Sequence, residues 1–279
     1  MTEHFAALHA AVFFGCAMAL ACVELVPALR RGTLTVARRW PTNIGLYTLN
    51  AVLTRIFVPV SAVQLATQTQ SGLFTHLQAH ELAATVLGFL VLDGWNYVEH
   101  RLMHLVPFLW RFHLVHHSDI GVDFTTTERH HPIEAAIAAA GLLALIYTLA
   151  IPPLSVAIFF LAGTAVSLLS HANVRLPQRL ERLLVPLIIT PGSHLVHHST
   201  KPHETDSNYG FVLSVWDRLF GTYLDSERAA QSGPRLQGLD VFREAEDERI
   251  DRVLCHPFLY RNVRARMPAH QPAVGERAP

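Results

Sequence analysis

Long apolar runs separated by short polar segments fill the first 170 residues of the chain. The five longest runs cover residues 5–29, 44–66, 82–98, 133–151 and 154–169. A helix needs about 20 predominantly apolar residues to cross a bilayer, and the first two runs reach that length, although Arg55 interrupts the second. Only Pro152 and Pro153 separate the last two runs. Because proline supplies no amide donor, this pair predicts the tip of a helical hairpin that enters the membrane deeply.

The pattern therefore predicts an all-α integral membrane protein with four to five transmembrane or deeply inserted helices. The polar stretch after residue 225 predicts a cytoplasmic tail, with an amphipathic helix near residues 239–254 and a disordered end from about Arg266. We divide the chain into N-terminal helices with a basic loop (1–81), a histidine-rich region (82–225) and the polar tail (226–279).

Positive charges predict the orientation of the helices. Four arginines follow the first run between residues 30 and 39, whereas residues 67–81 contain no Lys or Arg. The positive-inside rule places the arginine-containing loop in the cytoplasm. Each run that crosses the membrane changes the side on which the chain lies. Residues 100–132 and everything after residue 170, including the C-terminus, are therefore predicted on the cytoplasmic side. All the histidine clusters of the chain then share one face of the membrane.

Composition narrows the class further. Hydrophobic residues make up 51% of the chain and charged residues only 16%, against about 25% charged residues in soluble domains. The 22 Lys+Arg balance the 22 Asp+Glu, so no basic field indicates a nucleic-acid partner. The 3 cysteines form no CxxC pair, which excludes a disulfide framework and a zinc ribbon. The unusual count is that of histidine, at 18.

Three histidine motifs stand out: HRLMH at residues 100–104, HLVHHS at 113–118, and the same six residues again at 194–199. On a helix, positions three or four apart share a face, so each motif aims its imidazoles in one direction. Neutral imidazole suits iron, zinc, copper and nickel. A single HxxxH is commonly incidental, but three motifs on one predicted face indicate a shared metal site. Because one tetrahedral ion takes four ligands, eight histidines imply two ions.

Further polar residues lie at the same predicted face. His131 precedes the hairpin and His171 follows it, so both extend the candidate ligand set, whereas His130 is expected to point away. Asp93 lies inside the third run, where a carboxylate is costly and usually has a partner. Asp93 and Glu134 are candidates for orienting imidazole rings by hydrogen bonds.

These motifs, in this order, resemble the sterol desaturase / fatty acid hydroxylase superfamily. The resemblance covers roughly residues 88–223. Besides the three motifs, it rests on DGWNYVEHR at 93–101, HPIE at 131–134, HAN at 171–173, NYG at 208–210 and WDRLFGT at 216–222.

The resemblance implies that residues 82–225 form a catalytic domain with a cytoplasmic, histidine-rich dimetal cap. Members use two non-haem iron ions, for which zinc substitutes in purified protein, and O₂ to hydroxylate or desaturate lipid-like substrates such as a sterol or a fatty acyl chain. The implied ligands are His100, His104, His113, His116, His117, His131, His171, His194, His197 and His198. Asn173 joins Asp93 and Glu134 as a supporting residue. Some relatives carry a further histidine where this chain has Ser167, so nine and ten ligands both stay open.

The chemistry also implies partners. Aliphatic C–H bonds do not yield to acid–base groups, so a redox metal must carry the reaction. The chain shows no haem, flavin, iron–sulfur or nucleotide-binding motif, so we expect electrons from a separate cytoplasmic donor, ferredoxin-like or a small cytochrome with its reductase. The lipid substrate is expected to enter from the bilayer. Substrate identity and the choice between hydroxylation and desaturation stay open.

Two other classes compete with an oxygenase. A non-catalytic metal transporter or sensor would also bind metal, but a transporter places its ligands near the middle of the membrane. A membrane zinc hydrolase is expected to show HExxH. Here His80 and Glu81 are followed by Ala84 where that motif needs its second histidine.

Overall fold

The computed structural model describes residues 2–31, 36–55, 58–76, 80–231 and 233–264. Their N-terminal part contains the helices α1 (Thr2–Glu24), α2 (Val36–Asn50), α3 (Val58–Gln68), α4 (Leu73–His76), α5 (Glu81–Leu105), α6 (Pro107–His117), α7 (Pro132–Leu149) and α8 (Pro153–His171). The C-terminal part contains α9 (Gln178–Leu184), α10 (Pro191–His197), α11 (Pro202–Thr205), α12 (Val215–Leu219), α13 (Ser226–Ala230), α14 (Ile250–Val253) and α15 (His256–Arg264). A π-helical turn (Ala51–Arg55) and a 3₁₀ turn (Phe124–Glu128) complete the elements. The described residues form only isolated β-bridges and no strand, which confirms the all-α class.

Four helical stretches in the described part are long and apolar enough to cross a membrane, so the protein is a multi-pass membrane protein. They are Glu3–Glu24, Val36–His76, Pro132–Leu149 and Pro153–His171. The predicted hairpin is present, because Ala150 adopts a left-handed conformation (φ 54°) between α7 and α8. The predicted run 82–98 lies within α5, which is not one of the four stretches. Polar residues in its second half, among them Asp93, Asn96 and Glu99, lower its hydropathy.

Helix α8 lies at the centre of the bundle and contacts α1, α3 and α5. Between membrane helices the hydrophobic effect is weak, so close packing and interhelical hydrogen bonds carry the association. The contact between α5 and α8 shows both. Gly88 leaves no room for a Cβ beside Ser155, and the Ser155 hydroxyl donates to the Thr85 carbonyl at 2.9 Å.

The C-terminal residues pack against α2 and α6, and the amphipathic helix predicted near residues 239–254 is wrong. Residues 239–249 are irregular, and only α14 forms before residue 254. Apolar side chains of this segment share a core with α2 and α6; they include Leu239, Val241, Phe242 and Val253. Arg129 anchors the segment, because its buried guanidinium donates to Glu248 at 3.0 Å and to Asn43 at 3.0 Å. The predicted disordered end from Arg266 lies outside the described residues.

Candidate metal centre

Nine histidines gather at one end of the helical bundle in two adjacent groups. In each group, one ligand atom per residue lies within 4.8 Å of every other. Group one contains five residues: His100, His104, His113, His117 and His197. Group two contains four: His116, His171, His194 and His198. The structure therefore brings the three distant motifs together, and each group could hold a metal ion. A third set of possible ligand atoms, from His113, His130 and Glu134, overlaps group one.

Helical periodicity explains how the repeated HLVHH motif serves both groups. His113 and His117 are four positions apart and face group one, while His116 between them points to group two. In the second copy the assignment is reversed, because His194 and His198 face group two and His197 points to group one. Each copy thus supplies an i, i+4 pair to one group and a single ring to the other.

The ring nitrogens of group one are arranged as metal ligands would be. All five Nε2 atoms are buried without a hydrogen-bond partner. Two of these rings are oriented by hydrogen bonds from their other nitrogen, Nδ1. His100 Nδ1–H donates to the Tyr209 carbonyl at 2.8 Å, and His197 Nδ1–H donates to the Ser207 carbonyl at 2.7 Å. A buried polar atom without a partner costs about 1–3 kcal/mol. Five such atoms aimed at one point therefore fit a bound metal ion.

Group two brings its nitrogens even closer together. His171 Nε2 lies 3.1 Å from His116 Nε2 and 2.9 Å from His194 Nε2, and His198 Nε2 lies 3.2 Å from His194 Nε2. At most one proton fits between the two nitrogens of each pair. The four rings therefore cannot satisfy all of their nitrogen atoms by hydrogen bonds to one another. His171 Nδ1–H donates to the Ser167 carbonyl at 2.8 Å, which orients that ring. This donor set also fits a metal ion.

Burial favours the neutral form of the imidazoles of His117, His197 and His198. It lowers the pKa of His197 to about 3 and holds the pKa of His117 and His198 well below the usual range, and neighbouring histidines add to the effect. Neutral imidazole is the form that binds metal, since a proton would occupy the lone pair. At neutral pH the site is therefore ready for a cation.

His131, a predicted ligand, lies outside both groups. It is the N-cap of α7, where its Nδ1 accepts the Ile133 N–H at 3.2 Å. Its neighbour His130, which was expected to point away, faces the site instead. The ring of His130 stacks on His116 with centroids 4.6 Å apart. Pro132 at the start of α7 makes His131 the capping residue, and this signal was available in the sequence.

The three supporting residues have different surroundings. Glu134 Oε1 accepts from His113 Nδ1–H at 2.7 Å and from His130 Nδ1–H at 3.0 Å, so it orients a ligand ring. Asp93 has no imidazole among its hydrogen-bond partners in the part of the chain that the structure describes. It accepts from the backbone amides of Val212 and Leu213 and from the Trp216 indole, at 2.8–3.1 Å.

Asn173 also lies away from the rings. Its backbone N–H donates to Glu24 at 2.8 Å, and its side-chain oxygen accepts from the Arg31 amide at 3.1 Å. Asn173 therefore ties the end of α1 to the end of α8, where the ligand His171 lies.

A cavity of about 570 Å³ leads to both groups. Its walls come from α1, α5, α7 and α8 and are mostly apolar, with Phe13, Leu142 and Phe159 among them. His100 and His113 of group one and His116, His171 and His194 of group two lie at its surface. Its size falls within the usual range of about 300–1,000 Å³ for ligand pockets. An apolar molecule in this cavity would contact the histidine groups directly.

Comparisons with known proteins agree with this geometry. Residues 85–222 match the fatty acid hydroxylase family. The chain is 34% identical over 154 residues to the ornithine lipid hydroxylase OlsE of Rhizobium tropici, which covers 55% of this chain and 45% of that protein. It is 28% identical to the alkylglycerol monooxygenase of Homo sapiens, covering 61% of this chain and 32% of that protein. It is 25% identical to sphinganine C4-monooxygenase 2 of Arabidopsis thaliana, covering 71% and 75%.

The chain belongs to the sterol desaturase / fatty acid hydroxylase superfamily, as its motifs indicated. It spans less than half the length of the bacterial ornithine lipid hydroxylase and of the alkylglycerol monooxygenases that it matches. No solved structure matches it significantly.

Proposed function

We propose that the protein is a membrane-bound non-haem diiron oxygenase that uses O₂ and external electrons to hydroxylate a lipid. The single observation that carries the proposal is the convergence of two histidine groups at the end of an apolar cavity. Iron suits imidazole ligands, and two groups of this kind can hold two ions. The names of the relatives, which are hydroxylases and monooxygenases, favour hydroxylation over desaturation.

Nine histidines would hold the metal ions, five in group one and four in group two, and His131 is left out of this proposed set. Bound iron would supply the redox chemistry that oxidation of a C–H bond requires and that side chains lack. The protein's own residues do the rest. Glu134 holds the His113 ring by its Nδ1–H, and the apolar cavity walls exclude water and hold an alkyl chain against the histidines.

The substrate in this proposal is a polar lipid that enters from the bilayer. The cavity is bounded by helices that are apolar enough to span a membrane, such as α1, α7 and α8. The relatives are named for ornithine lipid, alkylglycerol and sphinganine, which all combine an alkyl chain with a polar group.

The histidine groups and the C-terminus lie on the cytoplasmic side in this proposal. Arg30 forms an isolated antiparallel β-bridge with Val174, which lies just beyond the C-terminal end of α8. The next residue, Arg175, donates its backbone N–H to the Leu29 carbonyl at 2.6 Å, so basic residues of two chain segments lie near the end of the bundle that carries the histidines. The positive-inside rule supports a cytoplasmic location for that end. A separate cytoplasmic donor, ferredoxin-like or a small cytochrome with its reductase, would deliver the electrons.

The experiment that tests the proposal is turnover under ¹⁸O₂. The full-length protein is expressed in cells, and their lipids are compared with those of cells that carry the His116→Ala variant. We expect a lipid that gains one ¹⁸O atom with the wild type, none with His116→Ala, and none without oxygen. The exposed His203 provides the control, because His203→Ala leaves both groups intact. Product formed without O₂, or in full amount by His116→Ala, would exclude the oxygenase.

A further inference from the structure

One short segment of the chain, residues 206–209, holds three of the five rings of group one. The Ser207 and Tyr209 carbonyls accept the Nδ1–H groups of two of them at 2.7 and 2.8 Å. The third is His104, whose Nδ1 lies 3.3 Å from Asp206 Oδ1. A hydrogen bond at Nδ1 orients the ring and leaves Nε2 as the nitrogen that binds a metal ion. The segment therefore orients most of one metal position through the ring nitrogens that do not face the ion.

Group two has no comparable segment in the part of the chain that the structure describes. His171 Nδ1–H donates to the Ser167 carbonyl at 2.8 Å, within its own helix. The Nδ1 atoms of His116, His194 and His198 are buried without a hydrogen-bond partner among the described residues. Residues 206–209 thus act on group one alone, and the protein holds more rings of group one than of group two by their Nδ1 atoms.

Asn208 fixes the shape of this segment. Its φ of 52° is a left-handed conformation that few residues other than glycine adopt and that asparagine tolerates better than most. Its side-chain amide donates to the carbonyls of Ser193 and Leu224, both at 2.9 Å, and its Oδ1 accepts the Leu224 N–H at 2.9 Å. Ser193 lies in α10, the helix that carries His197. Asn208 therefore connects the segment to a helix whose ligand ring the same segment holds.

Asp217 fixes the segment at its other end. Its carboxylate accepts the backbone N–H groups of Tyr209 and Gly210 at 2.7 and 2.8 Å, and the Thr222 hydroxyl at 2.7 Å. A Cβ on Gly210 would lie 2.7 Å from the Leu213 carbonyl oxygen, so this close approach requires glycine. These residues belong to the NYG and WDRLFGT motifs, which contain no candidate metal ligand. The two motifs thus build the support of the segment that holds the rings.

We propose that Asn208 is a positioning residue for group one, and for group one only. Its hydrogen bonds keep the carbonyls of Ser207 and Tyr209 in place, and these carbonyls keep the Nε2 atoms of His197 and His100 available to the ion. This inference rests on the proposed function, because it concerns one of the two metal positions assigned there. The NYG motif, which supplies no ligand, thereby has a role in the metal centre.

Stepwise removal of metal tests the inference without turnover. The purified full-length protein is loaded with zinc in detergent, titrated with a chelator, and analysed for the zinc that remains. The release step that His198→Ala lacks is assigned to group two, and the other step to group one. Asn208→Asp keeps the size and the acceptor of the side chain but removes both N–H donors. It should weaken binding of the group one ion by about 10- to 100-fold, the range for residues that orient ligands, and change group two by less than about twofold.

Asn208→Gly is the second variant, because glycine adopts the left-handed backbone without strain, and it should shift the same step in the same direction. Ser214→Ala is the matched control from the same part of the chain. The buried Ser214 hydroxyl donates to the Val185 carbonyl at 2.7 Å, away from the rings. Its loss should lower the unfolding temperature and leave both release steps unchanged.

Equal shifts of both steps in the Asn208 variants would overturn the inference, and so would release curves identical to that of the wild type. If the wild type incorporates ¹⁸O and both Asn208 variants release their two ions as it does, this inference fails while the proposed function stands. If the group one step depends on Asn208 but no lipid gains ¹⁸O, the proposed function fails alone. A wild type that binds no metal ion would contradict both.

Discussion

The rings of His116 and His130 lie face to face, with centroids 4.6 Å apart and planes 4° apart. His116 belongs to group two, whereas His130 lies in the third set of possible ligand atoms, with His113 and Glu134. Through Glu134, His130 is also connected to His113 of group one. One side chain that is not a proposed ligand thus contacts both halves of the centre, by stacking on one side and through a shared carboxylate on the other.

Replacing His130 should therefore weaken metal binding by group two. We expect His130→Ala to bind its second ion about 10-fold less tightly, in the range for residues that orient ligands. His130→Phe keeps the stack and should retain most of the affinity. Metal content after dialysis against a weak chelator measures the effect. Unchanged metal retention in His130→Ala would show that the stack does not support the centre.

The unequal sizes of the two groups predict unequal effects of losing one ligand. His198→Ala leaves three histidines in group two, and the metal content should fall from two ions to about one. His117→Ala leaves four in group one, enough for a tetrahedral ion, and should keep two. Elemental analysis of the purified variants gives the ratio. An identical loss in both variants would mean that the groups do not bind metal independently.

The position of His131 predicts a stability effect without loss of metal. Its ring nitrogen caps α7, and removing a side-chain cap costs about 1 kcal/mol. His131→Ala should therefore unfold slightly earlier on heating and still contain two metal ions, whereas His131→Asn should restore most of the stability. A drop to one ion would return His131 to the ligand set and raise the number of ligands to ten.

Asp93 is predicted to be essential for stability because it satisfies three buried donors of the segment 212–216. Asp93→Ala leaves two backbone amides and an indole N–H without an acceptor, and the free energy of unfolding should fall by about 3 kcal/mol or more. Denaturant titration followed by fluorescence provides the measurement. The exposed Asp240 is the control. Equal unfolding midpoints for Asp93→Ala and Asp240→Ala would remove Asp93 from the support of the site.

His256 predicts a pH dependence that is separate from the metal. It is 1% exposed, stacks on Phe242 at 3.9 Å, and burial lowers its pKa to about 3 from an ordinary 6.5. Below pH 6.5 the unfolded chain binds a proton that the folded protein excludes, so stability falls as the pH decreases toward 3. Relative to His256→Phe, the wild type should lose about 2 kcal/mol between pH 7 and pH 5. Parallel stability curves for the two proteins would contradict this.

Much of the site was readable in the sequence because its motifs are local. The spacing of HRLMH and HLVHH places several imidazoles on one helical face whatever surrounds the helix. The same is true of the hairpin at Pro152 and Pro153. The division of nine histidines into five and four was not readable, since it depends on how α5, α6, α8 and α10 are placed around a common point. The sequence indicated that Asp93 needs a partner and suggested an imidazole, but its partners are backbone amides about 120 positions away along the chain.

The amino-acid sequence by itself determined the helical membrane class and nine of the histidines that meet at the centre, because hydrophobic run length and helical spacing are local properties. Only the tertiary structure decided that His130 faces the site while His131 caps a helix, that residues 239–253 fill a core against α2 and α6, and that residues 206–209 hold rings of group one. Those facts depend on contacts between residues far apart in the chain, and such contacts form only when the packing of the whole molecule selects them.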